Sequence, residues 1–200
     1  MTSRLVLGFL TLTTLSTPAF LAGTHAQTAA PAKTATPAKP AAAAMTDAAM
    51  IKSAMSAGPL SIAKDATIVT MDDKMQMKTL RQGKNGWTCM PDLPNTPGPD
   101  PMCADKNGMD WVAALMAHKD PPKDKMAVAY MLAGGSDASN TDPWAEKPKP
   151  GETWVKTGPH LMVFSIGTHF DGYPTTPNDT TVPYVMFPGT PYAHLMIPVK

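Results

Sequence analysis

The apolar positions of this chain change their period several times, and each change marks an element. Met50, Ile51, Ala54 and Met55 fall on one face at helical spacing. Thr46-Asp47 stands ahead of them as a cap and Gly58-Pro59 behind them as a stop, which predicts a short helix through about Ala57. Residues 60–64 predict one further turn. From Ala66 the period falls to two. ATIVTM (66–71) is β-rich, and MQMKTLR (75–81) places Met75, Met77 and Thr79 on one face. Next comes Gly83-Lys84-Asn85-Gly86. Asn-Gly tolerates positive φ, so this run predicts a hairpin that returns the chain as a third strand over 87–90. Trp87 and Cys89 then share a face, and the expected local unit is a three-strand meander.

Pro91, Pro94, Pro97, Pro99 and Pro101 interrupt all periodicity, because each fixes φ and removes a backbone donor. Helical spacing resumes with Met109, Val112, Ala113 and Met116, capped by Asp105 or Asn107 and stopped by Pro121-Pro122. MAVAYMLA (126–133) is apolar on both faces and reads as a central buried strand. A long loop is expected over 134–151, rich in turn residues, with a short edge strand at Trp154-Val155. HLMVFSI (160–166) predicts a strand and 167–182 another long loop. Strands over 184–187 and 192–199 flank the turn Pro188-Gly189-Thr190-Pro191. The sum is an α+β fold with a mainly antiparallel sheet of six or seven short strands. Two or three helices and long Pro-rich loops complete it.

Composition adds organisation. Residues 1–26 have one early positive charge, an apolar run and a small-residue site at Thr24-His25-Ala26, the layout of a secretory signal peptide. That run is too short and too polar for a membrane span, and no other stretch approaches one. Residues 27–45, Ala/Pro/Thr/Lys-rich, read as a disordered linker. The globular domain is then 46–200, a length that supports one core. The expected location is periplasmic or secreted. In such a compartment two cysteines are most simply one disulfide, so Cys89 and Cys103 are expected to pair. The net charge is +1 with no Lys/Arg-rich patch, which argues against nucleic acid as a partner. The chain is rich in proline (22) and methionine (16).

One internal echo carries candidate chemistry. His160-Leu161-Met162-Val163 recurs as His194-Leu195-Met196-Ile197. On a strand, His and Met two apart point to one face. If the two strands are neighbours, His160, Met162, His194 and Met196 supply imidazole and thioether, a soft set that suits copper. Met71, Met75 and Met77 form a second thioether patch. The plainer reading is that both segments are core strands, with methionine filling gaps.

Other motifs are weaker. Ser136 in Gly134-Gly135-Ser136-Asp137 suggests a nucleophile only if His118, His160, His169 or His194 serves as base and Asp137, Asp142 or Asp171 orients it. The segment lacks the G-x-S-x-G elbow and reads as a turn. Asp105–Asp110 begins like a calcium loop but lacks its glycine and glutamate at the required places, so it reads as a helix cap. Glu146 and Glu152 are the only glutamates, and no paired carboxylates suggest a glycosidase. Trp87, Trp111, Trp144, Trp154, Tyr173, Tyr184 and Tyr192 near turns offer either a small-molecule surface or pins for long loops.

TLRQGKNGWTCMPD, GGSDASNTDP and PGTPYAHLMIPV together resemble small exported bacterial proteins of uncharacterised function. The resemblance implies export and a single domain, and no activity. The expectation is an exported, non-enzymatic binding or accessory protein whose ligand is a small molecule or protein. Soft-metal (copper) binding through the His/Met strands is the sharper alternative, and a small serine hydrolase is the remaining one.

Overall fold

The computed structural model describes residues 45–72, 76–92, 95–164 and 170–199. The expected signal peptide, all but the last residue of the expected linker, Met75 and His169 lie outside the described residues. Thr46 caps the first helix, α1 (Asp47–Met55), its hydroxyl accepting from Ala49 N at 3.2 Å. A short helix α2 (Leu60–Ala63) follows, then strands β1 (Thr67–Met71), β2 (Met77–Arg81), β3 (Thr88–Met90) and β4 (Met102–Ala104). Helix α3 (Lys106–Met116) is capped by Asp105, which accepts from Gly108 N at 2.7 Å. Its second carboxylate oxygen accepts from Val128 N at 3.1 Å, stitching the helix start to the next strand. The chain continues as β5 (Ala127–Met131), β6 (Gly135–Asp137), β7 (Val155–Thr157), β8 (His160–Phe164), β9 (Tyr184–Met186) and β10 (His194–Pro198).

Eight of these strands form one sheet in the order β2-β1-β3-β4-β5-β8-β10-β9, and β6 and β7 form a separate two-stranded ribbon. The sheet is mainly antiparallel, as the alternating pattern suggested, but has eight strands rather than six or seven. The added strand is β4, in which the chain between Cys89 and Cys103 returns directly opposite β3. Residues 135–137, expected within a loop, are strand β6 of the separate ribbon. The expected meander is also not formed. β1 lies between β2 and β3, antiparallel to the first and parallel to the second. Gly83–Gly86 is therefore not a hairpin turn. It carries the chain past the start of β1, where Gly83 N donates to Thr67 Oγ1 and Lys84 N to the Asp65 carbonyl.

The core lies on both sides of the sheet. One side joins Ile68, Cys89 and Cys103 to Ala54, Ala57 and Ala63 of the N-terminal helices. The other joins Ala104, Ala129, Met162, Tyr184, Met186 and Met196 to Trp111 and Val112 of α3. Cys103 and Ala104 are sequence neighbours on a strand, so these are opposite faces. Cys89 and Cys103 are directly opposed residues of β3 and β4 and form the disulfide. Replacing both by alanine is expected to lower stability by about 3 kcal/mol, from the entropy returned to a loop of about 15 residues. A urea midpoint unchanged by the double substitution would contradict that. Among the described residues no helix is long and apolar enough to cross a membrane.

Candidate functional site

β5, β8, β10 and β9 are consecutive in the sheet, and their register decides which side chains meet. β8 and β10 are antiparallel, with Met162 opposite Met196, His194 opposite Phe164 and His160 opposite Pro198. All six share one face. The two His-Leu-Met segments therefore meet at their methionines, and their histidines lie four positions apart, about 13 Å along the strands. Each histidine instead faces a methionine of its outer neighbour. His160 is opposite Met131 on β5, and His194 is opposite Met186 on β9. The result is a diagonal row of imidazole and thioether donors across four strands: Met131, His160, Met162, Met196, His194 and Met186. It has an approximate twofold about the central methionine pair.

Both imidazoles are anchored in the same way. His160 Nδ1 lies 2.7 Å from the Gly158 carbonyl and His194 Nδ1 2.9 Å from that of Tyr192, each two residues upstream. A carbonyl only accepts, so each Nδ1 carries the proton and each Nε2 presents its lone pair. Burial lowers the His160 pKa against the opposing effect of the Gly158 bond. Burial likewise pushes His194 down to about 4, with the His160 imidazole adding to the effect. Both rings are neutral at pH 7.

Their surroundings differ. His194 is boxed by Trp111, Phe164 and Phe187, with ring centroids at 5.3, 4.9 and 5.6 Å. His160 is 0% exposed, and among the described residues no group donates to its Nε2. Above it sits Gly135 of β6. A Cβ at that position would lie 3.1 Å from His160 Cε1 and 3.6 Å from Met131 Sδ. The imidazole and thioether therefore lie together under Gly135, where an added methyl group would have to push them aside by a few tenths of an ångström.

The rest of β6 holds a second cluster. The Ser136 amide donates to Asp100, whose other carboxylate oxygen accepts from the Thr96 hydroxyl. Gly98 packs against the Ser136 hydroxyl, close enough that a Cβ there would come within 2.6 Å of it. The Asp137 carboxyl is pushed up to about 7, by burial first and then by the Asp100 carboxylate. Tyr184 is pushed up to about 12 by burial. Its hydroxyl lies 2.6 Å from Thr157 Oγ1, and Asp137 adds to the shift.

No described histidine bonds the Ser136 hydroxyl. His160 lies under Gly135, and Ser136 points to the other side of β6. His118 is stacked on Trp144 at 4.5 Å. Asp142 accepts from Trp144 N and Asp171 is exposed. The relay a serine nucleophile needs is therefore not assembled among the described residues. Met71 and Met77 are directly opposed on β1 and β2, with Met77 46% exposed. Trp111 is buried, whereas Trp144 keeps 44% of its surface.

Met131, Met186 and Gly135 were not picked out by sequence reasoning. Met131 sits in a strand apolar on both faces, and only its register with β8 distinguishes it. Among the described residues no three His, Cys, Asp or Glu side chains group as a metal site, so the available donors are nitrogen and thioether sulfur. No known family model matches the chain, and neither does any curated protein or solved structure.

Proposed function

We propose that this chain is an exported, non-enzymatic soft-metal-binding protein that holds Cu(I) at His160, Met131 and Met162, with Met196 beside them. The observation that carries this reading is the His160 imidazole: fully buried, neutral, its Nδ1 anchored by a carbonyl, and its Nε2 without a donor among the described residues. A buried acceptor with no partner is costly. A metal ion that accepts its lone pair removes that cost, and a carbonyl on the opposite ring nitrogen is the usual support for a metal-ligating histidine.

The donor chemistry selects the ion. Thioether and imidazole are soft to borderline ligands that suit Cu(I). All are uncharged, so the site offers nothing to neutralise a second positive charge. Desolvation scales with the square of the charge, which makes a buried divalent ion about four times as costly as a monovalent one. The signal-peptide pattern and the disulfide are consistent with an exported compartment.

The test is competition for Cu(I) between the metal-free protein and a chromogenic chelator. His160→Ala is expected to weaken binding at least about 100-fold and Met131→Leu about tenfold, the scale on which losing a ligand or its support acts. His118→Ala, just past the end of α3 and stacked on Trp144, should match wild type. A wild-type protein that cannot compete, or a His160→Ala variant that competes equally well, would end this reading.

A further inference from the structure

A donor as deeply buried as His160 needs an entry path. The element over it is β6, which is not part of the eight-stranded sheet and among the described residues pairs only with β7. It leaves β5 through a tight turn, with Gly134 N donating to the Met131 carbonyl at 3.0 Å and Gly134 at φ +99°. Glycine at that position permits the backbone rotation a hinge requires. One end of the hinge is thus a proposed ligand, Met131, and the other is the roof residue, Gly135.

We propose that β6 is a hinged roof over the His160–Met131 donors, latched by Asp100 onto the Ser136 amide and released by a second negative charge at Asp137. The mechanics follow from geometry. Ser136 is gripped from outside by the Asp100 carboxylate and by Gly98 against its hydroxyl. Asp137 is the next residue, and its carboxyl lies close enough to Asp100 for the two to interact. With Asp137 protonated, the pair carries one charge and the latch holds. With both ionised, two carboxylates compete in a poorly solvated space, which favours moving one of them out. Asp100 is fixed by Thr96 and by its own amide to Asp92, so β6 is the part that moves.

Among the described residues, the other groups around Asp137 do not offset that charge. Tyr184 on β9 stays a neutral phenol, His160 on β8 is a neutral imidazole, and Lys156 on β7 is exposed opposite Ser136. Asp137 titrates near 7, so opening would rise between pH 6 and pH 8. The consequence for metal entry rests on the Cu(I) reading above, whereas the roof motion does not.

The experiment separates the two. Hydrogen exchange of the Ser136 amide is followed in the metal-free protein at pH 6 and pH 8 and corrected for intrinsic chemistry. Protection is expected to fall about tenfold in wild type, following the ionised fraction of Asp137. It should stay high at both pH values in Asp137→Asn and low at both in Asp100→Ala. Wild-type protection that ignores pH, or an Asp137→Asn profile parallel to wild type, overturns the roof. Cu(I) capture from the chelator is then timed in the same three proteins and should follow the same pattern. Capture at equal rates at pH 6 and pH 8 despite a changing protection would show that metal enters elsewhere. Expected protection with no capture at all would leave the roof standing and reject the metal reading.

Discussion

Gly83→Ala is expected to cost 4 kcal/mol or more, among the largest losses a single methyl group can cause in this chain. A Cβ at Gly83 would lie 2.1 Å from Thr67 N, 2.2 Å from the Ala66 carbonyl carbon and 2.6 Å from the Asp65 oxygen. All three are backbone atoms at the start of β1, so no rotamer change relieves the overlap. Nor can the connection move away freely. It is tied to what it crosses by Gly83 N to Thr67 Oγ1, Lys84 N to Asp65 O and Asn85 Nδ2 to Ile62 O. Arg81, just upstream, donates to the carbonyls of Ala63 and Ala66. Substitution must break the crossing or displace β1, a central strand of its half of the sheet. Gly86 is the control. It has φ +77°, and beyond its chain neighbours no described residue comes within 4 Å of its would-be Cβ, so Gly86→Ala should cost only about 1 kcal/mol of backbone strain. Urea denaturation of both variants decides the matter. Similar midpoints for the two would refute the close-approach argument.

The same turn shows where sequence reasoning stops. Asn85-Gly86 does mark a reversal, and Gly86 does adopt positive φ. Turn chemistry encodes local dihedrals, however, and not which strand the returning chain joins. The choice of β1 over β2 as partner for β3 depends on the Gly83 crossing, a contact between segments some 16 residues apart. Elements whose signal is local were legible. α1 and α3 announce themselves by period and cap, with Thr46 and Asp105 both capping. The apolar run at 126–133 does yield a strand in the middle of the sheet. β6 was not legible, because Gly-Ser-Asp has turn propensity and becomes a strand only by pairing with Val155–Thr157. The candidate site divides along the same line. The repeated His-Leu-Met was visible, and so was the shared face of each His and Met. Its meaning was set by register, which brought Met162 to Met196 but gave each histidine a methionine from a third or fourth strand.

Asp137→Asn is expected to make the metal-free protein more stable at pH 7.5, by up to about 4 kcal/mol, and to change the shape of its pH profile. In the unfolded chain Asp137 releases its proton near 3.8, whereas the folded protein holds it to about 7. A raised carboxyl pKa means that folding loses stability as pH climbs through that interval, at about 1.4 kcal/mol per unit. The full figure is an upper end, since the residue keeps some exposure. His194 acts in the opposite sense. It takes up a proton near 6.5 when unfolded and near 4 when folded, so its contribution is present above 6.5 and lost as pH falls toward 4, by about 3 kcal/mol. His160 is shifted the same way. Between pH 4 and 6.5 the carboxyl and the imidazoles therefore oppose each other, and wild-type stability should vary little across that range. Removing one side exposes the other. Asp137→Asn should become steadily more stable from pH 4 to 6.5 and then level. His194→Asn, though weaker overall through its lost packing and Tyr192 bond, should lose further stability from pH 4 to 7. Urea midpoints measured across pH 4–8 test both slopes. An Asp137→Asn curve parallel to wild type would mean that the proton held near neutrality is not on Asp137, and the latch on β6 would then have no trigger.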